Sequence, residues 1–386
     1  MNTKPIIVCH IVNSLDTGGM ENGVINLCNM IDRDQFKPII CCLKEKGTMA
    51  TRLKSDVDIY NIQINQNNKI AAIYKVARHI KKLSVQIVHT HAWGSGSLYG
   101  ILGAKLAHVP VIINGEHGAF FDTWYQILIQ KLLFKICDAN LAVSESLKNS
   151  VSKTIGVPHH KIIVVKNGVD TDIFSGDYSR SKVINGLLEE GYALEERSIL
   201  IMNIGSLKPQ KSQMMLVNAI KNIIRDRKEL DIHVFFIGDG QDRSYLDKYV
   251  HQEGLQKSIH FLGNRSDIPE LLSICDIFVS TSIPDFEGLS NVILEAMSSG
   301  VPVISTRSVG SSELVLSNTN GILVNHNDID QLENAIRKMI DDEKLREEMG
   351  NNGRKIISQD YSINEMIMYY EKIYRRILEQ RMASAK

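Results

Sequence analysis

The stretch Glu287-Gly288-Leu289-Ser290-Asn291-Val292-Ile293-Leu294-Glu295-Ala296-Met297-Ser298-Ser299-Gly300-Val301-Pro302-Val303 carries the most information in this chain. Ser290 or Asn291 can cap a helix and Gly300 can end it, so Glu287 falls in the loop before the helix and Glu295 about one turn in. Neither choice of cap makes Glu295 the capping-box acid, which falls three residues after the cap. The β-branched run over residues 301–305 then reads as a buried parallel strand. Two carboxylates directed at a strand mouth can accept hydrogen bonds from sugar and ribose hydroxyls, while loop amides at a helix start can hold phosphate oxygens.

Outward from this stretch the same alternation repeats. Short apolar runs at residues 198–204, 232–237, 259–262, 276–280, 301–305 and 321–324 are separated by helix-length segments. An earlier series lies at residues 6–12, 38–43, 86–90, 111–114, 139–143 and 162–165. Between them, residues 175–197 turn polar, acidic and glycine-containing. A chain of 386 residues has room for two ordinary cores. The expected architecture is α/β: a Rossmann-like domain over 1–175, a linker over 176–197 and a second Rossmann-like domain over 198–360. Both are doubly wound and face a ligand across a cleft. Residues 363–381 carry Ile, Met, Tyr and Leu at three- and four-residue spacing, so the segment 361–386 reads as an amphipathic helix packing back on the first domain.

A hydrophobic content of 44% with 23% charged residues excludes a disordered chain, and 6% aromatics give no stacking platform for nucleic acid. The net charge of zero hides an asymmetry, with 19 Lys and Arg against 13 Asp and Glu in residues 1–175 and the reverse excess afterwards. Two domains with mutually attracting surfaces account for it, and so does a basic first half facing anionic lipid. Six cysteines without a C-x-x-C pair read as free thiols in a reducing compartment. The start of the chain has no signal-peptide core, and the apolar segment 127–137 is interrupted by Gln130, Lys131 and Lys135. The expected location is the cytoplasm, with the inner face of the membrane as a working surface.

Other chemistry-bearing residues sit just after expected strands. Gly18 and Gly19 follow the first strand and lead into a helix, which suits a diphosphate, although a tight turn without a ligand explains them equally well. Glu116, His117 and Gly118 follow the strand at 111–114, and His89 and His91 end the strand before it. Lys211, after Gly205-Ser206-Leu207-Lys208-Pro209-Gln210 and early in the next helix, could neutralise charge on a leaving phosphate. No metal ligand set is apparent from spacing.

In this order the segments resemble the retaining glycosyltransferases of family 4, which have the two-domain GT-B fold. The resemblance runs through Gly18-Gly19, Glu116-His117-Gly118, Val143-Ser144, Asn167-Gly168-Val169-Asp170 and Gly205 to Lys211. It continues through Phe261-Leu262-Gly263, the Glu-x7-Glu pair Glu287 and Glu295, and Asn320-Gly321-Ile322-Leu323-Val324.

The resemblance implies a hexosyl transfer from a nucleotide-diphosphate sugar, UDP-linked first and GDP-linked second, to a hydroxyl of a glycan or lipid-linked acceptor in bacterial surface polysaccharide synthesis. It implies that Glu287 binds sugar hydroxyls and Glu295 the ribose, and that Lys211 with the amides at Gly18-Gly19 and at Gly288, Leu289 and Ser290 holds the diphosphate. His117 would touch the sugar near the reacting carbon, and Gly263-Asn264-Arg265 would lie near the nucleobase. His117, Lys211 and Glu287 are thus the expected catalytic set, with no metal or other cofactor. One position departs: an Arg usual five residues before the lysine is Ser206 here, so that Lys208 replaces it, or the amides and Lys211 carry more of the load, or activity is reduced. The acceptor is expected on the first domain, around His91, Trp93, Glu116 and Trp124. Phe120, Phe121, Trp124 and Tyr125 offer either a membrane-resting surface or core packing. A sugar-nucleotide 2-epimerase and a non-catalytic binding subunit are the rival functions.

Overall fold

The computed structural model describes the chain apart from residues 1–3, 17, 66, 92–94, 119–122, 177, 196, 285–287 and 385–386. The chain divides into two compact units, Met1–Gly168 with Asn364–Lys386, and Val169–Ile363.

The first unit is built on seven parallel strands: β1 Ile6–Val12, β2 Phe36–Cys42, β3 Asp58–Asn61, β4 Ile87–His91, β5 Val111–Glu116, β6 Ala139–Ala142 and β7 Ile162–Val164. They are ordered β3-β2-β1-β4-β5-β6-β7. Apolar side chains on one face of β1, β2 and β4, among them Cys9, Ile39, Cys41 and Val88, pack with Val76, Ile80 and Ile101 from helices Lys69–Lys82 and Ser95–Leu106. Burial on both faces is why these strands read as continuous apolar runs. All six cysteines are free thiols, four of them buried and Cys137 and Cys275 half-buried.

The final helix, Ile363–Ser384, belongs to this first unit for nearly all its length. Met366, Ile367, Tyr370, Ile373, Tyr374, Ile377 and Leu378 are buried, the three- and four-residue spacing expected of one apolar face. Glu371 accepts the Asp32 amide at 2.8 Å, and Arg381 forms an ion pair with Asp138.

The second unit has six parallel strands: β8 Ile199–Ile204, β9 Ile232–Ile237, β10 Ile259–Gly263, β11 Ile277–Ser280, β12 Val303–Thr306 and β13 Gly321–Val324. Their order is β10-β9-β8-β11-β12-β13, which is the doubly wound arrangement. Residues 176–197, expected to be a linker, instead include a helix, Arg180–Glu189, packed within this unit. Arg180 donates to the Ile274 carbonyl at 2.9 Å, Leu187 is buried, and both carboxylate oxygens of Glu190 accept from Nη1 of Arg265. Few of its residues are apolar, and these tertiary contacts hold it in place. Among the described residues, no helix is long and apolar enough to cross a membrane.

Candidate active site

In the second unit the strand order reverses between the neighbours β8 and β11, so the loops after their carboxyl ends form the natural ligand crevice. The chain leaves β8 through Gly205 and an exposed Ser206 into a short turn of 3-10 helix, Pro209–Lys211. Lys211, expected early in the next helix, instead ends that turn, and Ser212 in a left-handed conformation separates it from helix Gln213–Asp226. The Lys211 carbonyl accepts the Thr281 hydroxyl at 2.7 Å, and the Gln210 carbonyl accepts the Ile283 amide at 2.9 Å. The turn is thereby pinned to the chain leaving β11.

The lysine side chain folds back over the end of β8. A Cβ on Gly205 would stand 3.4 Å from Lys211 Cε and 3.5 Å from its Nζ. Gly238, after β9, supports the same loop from below. Its φ is +129°, its amide donates to the Gly263 carbonyl at 2.7 Å, and a Cβ there would fall 2.2 Å from the Gly205 carbonyl oxygen. Only glycine lets the two loop backbones lie so close.

The helix Asn291–Ser298 starts at Ser290, whose backbone is extended and whose side chain makes no capping bond. Ser290 Oγ is buried without a partner among the described residues, at the positive end of the helix dipole. Leu289 is buried as well, with Gly310 close behind it. Glu295 is half-buried just past the first turn, and Gly300 with φ +78° follows the helix end. Glu287 lies outside the described residues. Arg265 donates to Asp267 at 2.8 and 2.6 Å and to Glu190 at 2.9 and 2.8 Å, so its guanidinium is engaged.

In the first unit Gly18 is the N-cap of helix Gly19–Met30, directly beyond β1. Histidines crowd the carboxyl ends of β1, β4 and β5. His10, His89 and His91 are fully enclosed, with a ligand nitrogen of each within 4.8 Å of the others. His117 follows β5 and is partly exposed, its Nε2 3.2 Å from His91 Nδ1. Burial pulls the pKa of His117 down to about 4 and that of His10 to about 3. His91, expected to face an acceptor, lies one imidazole behind His117. Glu116 is likewise enclosed: its carboxylate accepts from Asn114 Nδ2 at 2.7 Å and from Gln130, and burial raises its pKa to about 7. For either to touch an acceptor, these contacts would have to open. Trp124 is 77% exposed at the start of helix Trp124–Ile136; Trp93, Phe120 and Phe121 lie outside the described residues.

Sequence reading missed His10, Thr281 and Gly238. A histidine inside the apolar run of β1 was the available signal for the first; the other two acquire their roles only through pairing of distant loops. A cavity of about 480 Å³ beside Val109, Ile112, Asp138 and Arg381 lies at the amino end of β5, away from these groups.

Two parallel-sheet units, each with polar groups gathered after its switch-point strands, define a two-domain α/β protein. Residues 17–173 match the model of Glycosyltransferase Family 4, and residues 188–356 that of glycosyl transferases group 1. The chain belongs to the family 4 glycosyltransferases and has the GT-B fold. It is 29% identical to UDP-Gal:alpha-D-GlcNAc-diphosphoundecaprenol alpha-1,3-galactosyltransferase of Escherichia coli, over 96% of both chains. Among solved structures it resembles a glycosyltransferase from Rickettsia africae, with a TM-score of 0.84 and 23% identity over 97% of this chain and 99% of that one. It also resembles Anabaena HepE in complex with UDP-glucose, with a TM-score of 0.81 and 21% identity over 96% and 100%.

Proposed function

We propose that this chain transfers a hexose, with retention of anomeric configuration, from a UDP-sugar to a hydroxyl of a saccharide carried on a polyprenyl diphosphate at a membrane surface. The observation that carries this reading is the Lys211 ammonium held over Gly205 at the end of β8, with a helix start at Ser290 following the adjacent β11. Both present positive charge, already oriented, to a diphosphate. As the sugar–phosphate bond breaks, the leaving diphosphate gains charge that Lys211 neutralises. Lys208 and the loop amides replace the guanidinium that Ser206 lacks. Glu287 positions sugar hydroxyls and Glu295 the ribose, and no metal is needed. The similarity to an enzyme named for UDP-galactose and a diphosphoundecaprenol acceptor supports both the nucleotide and the lipid carrier.

The helix Trp124–Ile136 supports the membrane setting. Trp124, Tyr125, Leu128, Ile129 and Leu132 all face solvent on it, with Lys135 exposed near its end. Such a stripe inserts at the headgroup boundary while lysine meets anionic lipid. Sedimentation with phosphatidylglycerol vesicles should recover the protein, and the double variant Trp124→Ala, Leu132→Ala should lose most of that binding. Equal recovery of both proteins would remove the membrane surface from this helix.

The donor reading is tested by melting. UDP at millimolar concentration should raise the melting temperature by several degrees, because a ligand that binds only the folded state stabilises it, by about 2.7 kcal/mol at a hundredfold excess over Kd. GDP should do so less. No shift with either nucleotide would refute the donor site.

A further inference from the structure

The pairing of β1 with β4 sets His10 beside His89, and the two-residue period of β4 puts His91 on the same face. His10 Nδ1 lies 2.9 Å from His91 Nε2, and His91 Nδ1 lies 3.2 Å from His117 Nε2. The His10 and His91 rings are stacked, with centroids 5.2 Å apart and 23° between planes. Three imidazoles therefore form one hydrogen-bonded chain from the core to the loop after β5. The spacing suits a hydrogen bond better than an ion: two nitrogens on a tetrahedral zinc at bonds of about 2.0–2.1 Å stand roughly 3.3 Å apart. No carboxylate joins the three-histidine group among the described residues to balance a metal charge.

A neutral imidazole carries one proton, so the chain has two possible orders. Run inward, His117 donates to His91, His91 donates to His10, and His10 is left with its proton on Nε2. That atom is buried and has no partner among the described residues. Run outward, His10 Nδ1–H donates to His91 Nε2, His91 Nδ1–H donates to His117 Nε2, and His10 Nε2 keeps only a lone pair. An enclosed N–H without an acceptor is rarer in proteins than an under-used acceptor, because the unsatisfied donor bears its full desolvation penalty. The outward order is favoured, and it leaves the His117 proton on Nδ1. Burial keeps the imidazoles neutral at ordinary pH. Space for the cluster is preserved by Gly115, where a Cβ would come within 2.8 Å of His89 Nε2.

We propose that His10 and His91 are positioning residues that fix His117 as its Nδ1–H tautomer, so that His117 meets its ligand as a hydrogen-bond donor and not as a base. That His117 faces the donor sugar rests on the function proposed above; the tautomer does not. The choice of tautomer follows the logic by which a buried partner orients a working histidine in hydrolytic triads.

Long-range nitrogen-15 correlation spectra of histidine-labelled protein read the tautomer of each ring directly. In the full-length protein His91 and His117 should both be protonated at Nδ1. Protonation of either at Nε2, or stoichiometric binding of added zinc with shifts of the His10 and His91 nitrogens, would overturn the relay. Replacement His10→Leu should let the His117 ring populate both tautomers and lower kcat about ten- to hundredfold with KM little changed. His10→Asn, whose amide N–H can stand where Nδ1–H stood, should restore the single tautomer and most of the rate. If the asparagine variant folds and retains the mixed tautomers, the relay is refuted. If the tautomer is as stated but the His117 nitrogens do not respond to UDP-sugar, the sugar-facing role fails while the relay stands.

Discussion

Replacing Lys211 with alanine is expected to lower kcat by about 10²–10³-fold while the protein stays folded, the loss typical of removing one oriented group from a developing negative charge. The backbone around Lys211 is held independently of its side chain, by Thr281 on the Lys211 carbonyl and Ile283 on the Gln210 carbonyl. The variant therefore removes charge and leaves the turn in place. The ammonium is in position before any bond breaks, so its contribution should fall on the transition state more than on ground-state binding, and KM should change much less than kcat. Under the proposed function Lys208 supplements binding in place of the guanidinium absent at Ser206, and Lys208→Ala should then have a smaller effect that falls mainly on KM. Steady-state kinetics of both variants check this. An unchanged kcat for Lys211→Ala would mean that the charge on the leaving group is met elsewhere.

The second large effect is acid lability. His10, His89, His91, His117 and His260 are all held by burial well below the ordinary imidazole pKa, with values of about 3 for His10 and about 4 for His117 and His260. Between that lowered value and the unfolded value of about 6.5, the unfolded chain binds a proton that the folded chain does not. Stability therefore rises with pH across this window and is lost as pH falls below about 6.5, by about 1.4 kcal/mol per pH unit for each imidazole. Glu116 acts in the opposite sense. Its folded pKa of about 7 lies above the unfolded value, so the folded state holds the extra proton as pH drops from 7, and this offsets roughly one imidazole. Four histidines with lowered pKa against one carboxyl in the first unit leave a net loss. Its unfolding transition should move steeply to lower temperature between pH 6.5 and 4.5, and calorimetry across that range would detect it. A flat profile would show that these histidines are protonated in the folded protein.

Much of the fold could be read directly from the chain, because strands enclosed on both faces advertise themselves as β-branched apolar runs. β3, at the sheet edge, escaped notice. It is only partly buried along Asp58–Asn61 and carries no apolar run. The helix Arg180–Glu189 was hidden in the same way, since its position depends on Arg180 and Glu190 meeting partners far along the sequence. The site divides along a similar line. Gly18, Lys211 and Ser290 lie in local loops whose residue types announce their chemistry. The histidine relay and its surroundings do not, because His10 and His91 are 81 positions apart and His89 meets Tyr374 across 285. Sequence spacing gave no metal ligand set, yet parallel pairing brought three histidines together. What joined them was strand register, which no local motif encodes.

The central claim is the transfer itself, and the most direct measurement supplies the purified protein with labelled UDP-hexoses and an N-acetylglucosaminyl diphosphate on a polyprenyl tail, then determines the product's anomeric configuration by NMR. The account predicts label in the lipid fraction, an α-linked product from an α-linked donor, and no product with Glu287→Ala. An inverted linkage, or label that never enters the acceptor with any nucleotide sugar, would contradict it.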